Sequence, residues 1–320
     1  MNESDGLVVL PHVKVQNVNA ISGPLSWGFP PPSAFLGFVH ALQRKLTDAW
    51  GVKFTGAGII CHRFEPQIHQ LPGSRQHVFA LSRHPIRAGY KKFEDKDASI
   101  VEEARAHMEV SLILDTSTDA EVADDFLASL QNEVHSMRIG GGGVIPSFES
   151  ASAPLWFPWG YDEEENSKQF RKLCRLLLPG FALVQRQDLL DSRLAELRES
   201  DSASTSLDAL CDLCALHAES KTDDLGKVEW YFRREPGWLV PLPVGYGALS
   251  EEIHEGGEVA NARDKVTPFR FVESLYSLGE WVSLHRINDR NEIMWRYESH
   301  KDEGIYLCAN TYSSSLTDKE

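Results

Sequence analysis

Hydrophobic positions along this chain change period several times, and each change marks an element. Leu7-Val8-Val9-Leu10 is a continuous apolar run, and Val13, Val15 and Val18 then continue it, mostly at every second position, the pattern of a buried strand. Gly28 and Pro30-Pro31-Pro32 break the pattern, with Ser33 the expected helix cap. Phe35, Leu36, Phe38, Val39, Leu42 and Leu46 follow at helical spacing. A second strand is predicted over 59–65 and a third over 108–114. Between them, residues 66–98 carry Pro66, Pro72-Gly73, Pro85 and Gly89 and read as an excursion from the core. Val122, Phe126, Leu130 and Val134 predict a second helix, which runs into four consecutive glycines, Gly140 to Gly143, with a short strand beyond.

The order strand, helix, strand, excursion, strand, helix, glycine turn, strand is the βαββαβ arrangement of a ferredoxin-like or RNA-recognition-motif fold, an α+β class. The aromatic stacking signature of ordinary RNA-recognition motifs is missing from the central strands. In the second half, Trp156-Phe157-Pro158-Trp159 reads as an exposed aromatic cluster ahead of the acidic run 162–165. Leu173 to Leu178, Leu183 and Leu189-Leu190 predict helical pieces up to a Ser-rich stretch at 199–206, with a short helix over 207–217. Residues 221–226 read as a polar break, and 238–246 with 268–285 as the last packed region.

With 320 residues, 42% hydrophobic, the chain has ample material for a large core. No apolar stretch reaches the roughly 20 residues a bilayer span needs, and the acidic start Met1-Asn2-Glu3-Ser4-Asp5 gives no expectation of a secretory signal. Five cysteines at scattered spacing suit reduced thiols in a cytoplasm. Cys211 and Cys214 lie within a leucine-patterned helix and have no second pair to complete a zinc site, so no metal or other cofactor is expected.

The net charge of −15 argues against a surface that grips nucleic acid everywhere, yet leaves room for a local basic site. From Arg75 to Lys96, six cations face two acids, and Lys168 to Arg175 holds four cations and no acid. Arg83, Arg87, Lys91 and Lys92 concentrate in the excursion. The glycine run behind Arg138 is either a helix C-cap with a turn or a cradle in which Gly140, Gly141, Gly142 and Gly143 admit an RNA backbone while Arg138 neutralises a phosphate. Trp27 either stacks on a base or fills the core. Strand alternation places His62 and Phe64 on one face and Arg63 and Glu65 on the other. No HExxH, P-loop or nucleophile motif accompanies the histidines, although His62, His84 or His107 would suffice as the base of a metal-independent endoribonuclease.

Taken together, several long segments resemble the second Csy proteins of type I-F CRISPR surveillance complexes, nearly end to end. They include Asn17 to Phe29, Phe38 to Arg44, Cys61 to Glu65, Arg138 to Pro146 and Leu177 to Val184. Gly237 to Pro243, Asn261 to Asp264, Leu278 to Trp281 and His285-Arg286 extend the likeness. The resemblance implies a RAMP-superfamily subunit: a modified RNA-recognition-motif palm over 1–65 and 99–150, and an inserted thumb over 66–98. A helical or irregular extension over 151–230 and a C-terminal α/β region over 231–320 would complete it. It further implies a role without catalysis in antiviral defence: pairing with the complex's large subunit, reaching the adjacent backbone subunit, and holding the 5′ handle of the CRISPR RNA. The residues expected to contact RNA are Arg138, Gly140 to Gly143, Arg63, Trp27, Arg83, Arg87, Lys91 and Lys92. The rival readings are the endoribonuclease and a scaffold that touches protein only.

Overall fold

The computed structural model describes residues 5–85, 100–118, 122–222, 226–260, 262, 264–300 and 302–312. The chain divides into two compact units, Met1–Gly180 and Phe181–Glu320. Among the described residues no helix is long and apolar enough to cross a membrane.

In the first unit the leading strand, β1 (Gly6–Asn19), opens with six buried positions. It is followed by α1 (Pro32–Trp50), which starts one residue before the expected Ser33 cap: Pro31 is the N-cap and Pro32 sits in the first turn, where its missing N–H costs nothing. Gly51 closes α1 in the left-handed conformation at φ 60°. The strands β2 (Val52–Pro66) and β3 (Arg105–Thr118) are both longer than the predicted runs at 59–65 and 108–114. Backbone pairing carries the strand through Lys53 and past Thr55, the extra residue of a bulge between Phe54 and Gly56, polar positions that alternation does not flag. Helix α2 (Asp124–Ser136) buries Phe126, Leu130 and Val134 and has Asp124 and Asp125 in its first turn, where carboxylates favour the positive end of the helix dipole.

Two short strands follow, β4 (Arg138–Ile139) and β5 (Gly142–Val144). They form a hairpin, and β5 pairs antiparallel with β1 at Val15 and Gln16. Four strands thus run in the order β5-β1-β3-β2, all antiparallel. A further strand, β6 (Leu155–Pro158), pairs with the start of β1. Its residues Trp156 and Phe157 are half-buried, so the aromatic cluster is a sheet strand and not the exposed surface the sequence predicted. Helix α3 (Glu163–Leu176) converts the acidic run into a first turn, with Asp162 capping the N–H groups of Glu164 and Glu165 at 2.9 and 3.2 Å. The ends of the excursion are two hairpins, Ile68–Gln70 with His77–Phe79 and Ser82–Pro85 with Ile100–Glu103.

The second unit begins with β7 (Phe181–Gln185), where the sequence predicted helix around Leu183. Helices α4 (Gln187–Ser200) and α5 (Ser206–Cys214) follow, the latter opened by a Thr205–Asp208 capping box and ending before the predicted 217. A hairpin of β8 (His217–Thr222) and β9 (Val228–Arg233) occupies what read as a polar break. The strands β10 (Leu239–Ala248), β11 (Val272–Ser283), β12 (Met294–His300) and β13 (Ile305–Ala309) complete an antiparallel order β7-β11-β10-β13-β12. Leu190, Ala209, Leu210, Leu213, Leu239 and Leu278 form the core where α4 and α5 meet the sheet. Trp295 is fully buried and donates its indole N–H to the carbonyl of Leu183 at 2.8 Å.

All described cysteines are free thiols, as the sequence predicted. Burial raises Cys61 and Cys308 to about 12 and Cys214 to about 11, which leaves them protonated and unreactive at neutral pH.

Candidate nucleic-acid interface

The four glycines divide into three roles. Gly140 and Gly141 have φ of 55° and 79°, the two consecutive positive values of a type I′ hairpin turn between β4 and β5. Helix α2 has already ended at Ser136, so the run is not a helix C-cap. Gly142 is an interior position: a Cβ there would lie 2.6 Å from the carbonyl oxygen of Gln16 and 2.8 Å from the backbone nitrogen of Val18. The close backbone approach read from the sequence therefore occurs at Gly142, but the approaching backbone is β1. Gly141 and Gly143 face open space.

Directly paired residues share a face of a sheet, so the row Arg138–Gly143–Gln16 lies on one side and Ile139–Gly142 on the other. Ile139 is fully buried, which fixes the Arg138 row as the outward one. Arg138 is exposed and makes no ion pair among the described residues, and beside it stands the bare backbone of Gly143. Lys14, two residues before Gln16 on β1, is also exposed and without an ion pair among the described residues. Lys14 was not singled out from the sequence; an isolated lysine in an apolar strand carries no motif, and only the register puts it on the same face as Arg138, across β5 and two residues along β1.

Trp27 stands at the same end of the sheet. The loop it opens is tied to the glycine turn, since Pro30 lies 3.2 Å from the Cβ position of Gly140 and the Asn19 N–H donates to the Gly140 carbonyl at 2.8 Å. Trp27 is 46% exposed and meets Phe79 edge-on at 5.1 Å, so one side of the indole is open and it does not fill the core. Phe29 does that instead, packing on Phe35 and Phe64 at 5.4 and 5.6 Å. A polar cluster completes this end: Gln67 donates to the Asn17 side chain at 2.9 Å, and Arg105 donates to the Asn17 carbonyl at 3.3 Å. Arg105 is also paired with Glu103.

Arg63 stands on β2, separated from the glycine hairpin by β3 and β1, and forms an ion pair with Glu65, so its charge is partly answered within the strand. Arg83 occupies the Ser82–Pro85 strand opposite Glu102. Arg87, Lys91 and Lys92 lie outside the described residues. The four cations from Lys168 to Arg175 fall on the exposed side of α3, where Lys168 pairs with Glu164 at 2.8 Å, so they read as a solvated helix face.

Two bulges shape the middle of the same sheet. Pro11 and His12 on β1 oppose the single residue Ser111, and His62 is the extra residue of β2 between Cys61 and Arg63. The bulge at His62 breaks the strict alternation predicted for 62–65. It lets the rings of His12 and His62 stack at 4.3 Å over β3. Nδ1 of His12 meets Glu109 at 2.8 Å, while Nδ1 of His62 donates to the Pro179 carbonyl at 2.8 Å. Burial lowers the pKa of His62 below the ordinary histidine value. His107 is exposed and accepts the Asn17 N–H at 3.3 Å. His84 lies in the Ser82–Pro85 strand.

Two comparisons bear on this arrangement. Residues 8–308 match the model of the family described as CRISPR-associated protein (Cas_Csy2). A protein of Pseudomonas aeruginosa (strain UCBPP-PA14), named CRISPR-associated protein Csy2, is 43% identical over 319 residues, covering 96% of this chain and 95% of its own.

Proposed function

This chain belongs to the Cas_Csy2 family of CRISPR-associated proteins, and on that premise we propose that it is a non-catalytic RNA-binding subunit of a type I-F interference complex. It holds the 5′ handle of the CRISPR RNA and pairs with the large subunit, and its excursion at 66–98 reaches the adjacent backbone subunit. The observation that carries the RNA-binding part is the outward row Arg138–Gly143–Gln16, with Lys14 beside it and Trp27 at the same sheet end. Arg138 makes no ion pair among the described residues, and Lys14 makes none either, although Glu109 faces it across the strands. A backbone free of side chains between them suits phosphate approach, and a half-exposed indole suits a splayed base. A handle read this way needs a few placed cations, which is compatible with a net charge of −15.

The strand order β5-β1-β3-β2 behind a βαββαβ sequence supports reading the first unit as a ferredoxin-like palm of the RAMP kind. Binding without cleavage is supported by His62, both of whose ring nitrogens are engaged inside the protein. The test is reconstitution with guide RNA and the candidate protein subunits, followed by crosslink mapping. Crosslinks at 138–143 with intact RNA are the expected result. RNA cleavage by the purified chain in EDTA would favour the endoribonuclease instead, and assembly without any RNA crosslink would leave a scaffold.

A further inference from the structure

The β8–β9 hairpin has two unlike faces. Its register pairs Thr222 with Val228, Ser220 with Trp230 and Ala218 with Phe232 on one face. The other face pairs Lys221 with Glu229, Glu219 with Tyr231 and His217 with Arg233. On this second face the polar groups satisfy one another: Glu219 accepts from Tyr231 at 2.6 Å and from Arg233 at 2.8 Å, and Arg233 also meets Glu235 at 2.7 Å. Lys227 pairs with Glu229 at 2.6 Å. The first face holds no charge at all, and its large side chains stand in solvent, Trp230 69% exposed and Phe232 66%. The residues opposite them are small, so each ring projects above the ribbon. An isolated two-stranded ribbon is marginal in water, and one with its whole apolar face wet gains by being covered.

We propose that the uncharged face of this hairpin, led by Trp230 and Phe232, is the seat of the permanent protein partner of this chain, a different polypeptide offering an apolar groove. Charge selects that occupant. RNA would need cations beside the rings, whereas Lys221, Lys227 and Arg233 lie on the opposite face, the last two tied to carboxylates, and Arg234 lies beyond the last pair of the ribbon. A second copy of the chain would bring −15 against −15. Permanent interfaces are the apolar ones, with aromatic anchors at their centre.

The identity of the partner as the large subunit rests on the proposed function; the location of its seat does not. The experiment co-expresses the full chain with the large subunit and guide RNA, as wild type, as Trp230→Ser/Phe232→Ser and as Glu229→Gln. The expected result is a stoichiometric pair for wild type and Glu229→Gln, weakened about tenfold or more in the double variant. Both rings are exposed, so the variant keeps its fold, which circular dichroism checks. Normal pairing by the double variant overturns the proposal. So does a wild-type homodimer that the double variant converts to monomer. Lost RNA retention with pairing intact would assign the face to RNA and likewise overturn it. A wild-type chain that retains guide RNA but joins no large subunit overturns this proposal and leaves the RNA-binding reading standing. A chain that pairs through the hairpin but holds no RNA does the reverse.

Discussion

Ser111 and His62 are joined by a hydrogen bond of 2.7 Å whose direction is fixed by its neighbours. Nδ1 of His62 faces the Pro179 carbonyl, which can only accept, so that nitrogen carries the proton. Nε2 of the neutral ring must then accept, and Ser111 donates, while its oxygen accepts the N–H of His12 at 2.9 Å. Protonating His62 would remove the acceptor that the Ser111 hydroxyl has among the described residues and place a cation in a half-buried stack with His12.

A pH dependence follows from that arrangement. The folded-state pKa of His62 lies below the ordinary value of 6.5, through burial first of all. Between the two values the unfolded chain binds the extra proton, so stability rises with pH across that window. The contribution of His62 is complete above about 6.5 and is lost as pH falls through the lowered folded value. Denaturant midpoints across acidic to neutral pH should show this slope, and His62→Phe should flatten it. Ser111→Ala should cost about 1–3 kcal/mol by leaving the His62 nitrogen unsatisfied. A pH profile identical in His62→Phe and wild type would remove the histidine from the account.

The glycines make the second prediction, since substitutions at neighbouring positions should fail for different reasons. Gly142→Ala drives a methyl into the β1 backbone and should lower stability of the first unit by about 2 kcal/mol or more. Gly141→Ala meets open space but carries φ 79°, so it should cost about 1–2 kcal/mol from backbone strain alone. Gly143→Val meets neither obstacle, should fold, and should lose guide RNA because its branched side chain fills the gap beside Arg138. Thermal melts separate the first two from the third, and full RNA retention by Gly143→Val would sink the cradle.

Much of the first unit was legible in sequence because its strands and helices are long and periodic. The continuous run at Leu7 to Leu10 and the helical spacing from Phe35 to Leu46 announce β1 and α1 without ambiguity. The second unit was harder for physical reasons. Five apolar-to-polar residues from Phe181 to Gln185 carry no length to separate strand from helix, and only pairing with β11 decides. The β8–β9 hairpin hides because one face is charged and the other alternates small with aromatic. At the candidate interface, Arg138, Trp27 and the glycines were visible as types. Their division into turn, packing and open positions depends on register, as does the arrival of Lys14 beside them.

In the second unit, Arg186 and Glu280 make a buried pair, their side chains 7% and 4% exposed. Asp188 adds a second partner to Arg186 at 2.9 Å, and Arg286 approaches Glu280 at 4.0 Å. Glu280→Ala should leave the guanidinium with Asp188 as its carboxylate and cost about 1–3 kcal/mol. Arg186→Met with Glu280→Leu removes both charges at similar volume and should recover most of that loss. Urea titrations of the full chain check both, and a Glu280→Ala variant with an unchanged midpoint would show that Asp188 alone compensates Arg186.

The last prediction concerns affinity for guide RNA. Each phosphate contact with single-stranded RNA contributes roughly 0.7 to the slope of log affinity against log salt. Arg138→Ala and Lys14→Ala should therefore each weaken binding and shrink that slope by about this amount, and together by about twice it. The residues stand on different strands and share no partner among the described residues, so their effects should add. Arg63→Ala should change the slope less, because Glu65 already answers its charge. Trp27→Ala should weaken binding by about 1–3 kcal/mol and leave the slope unchanged, since stacking releases no counterion. Arg83, Arg87, Lys91 and Lys92 are tested as a group: if the excursion touches the backbone subunit more than RNA, their removal lowers assembly yield at constant slope. The order of effects is what discriminates. A slope that falls most with Arg63→Ala and not at all with Arg138→Ala would move the RNA path off the β4–β5 hairpin and onto β2.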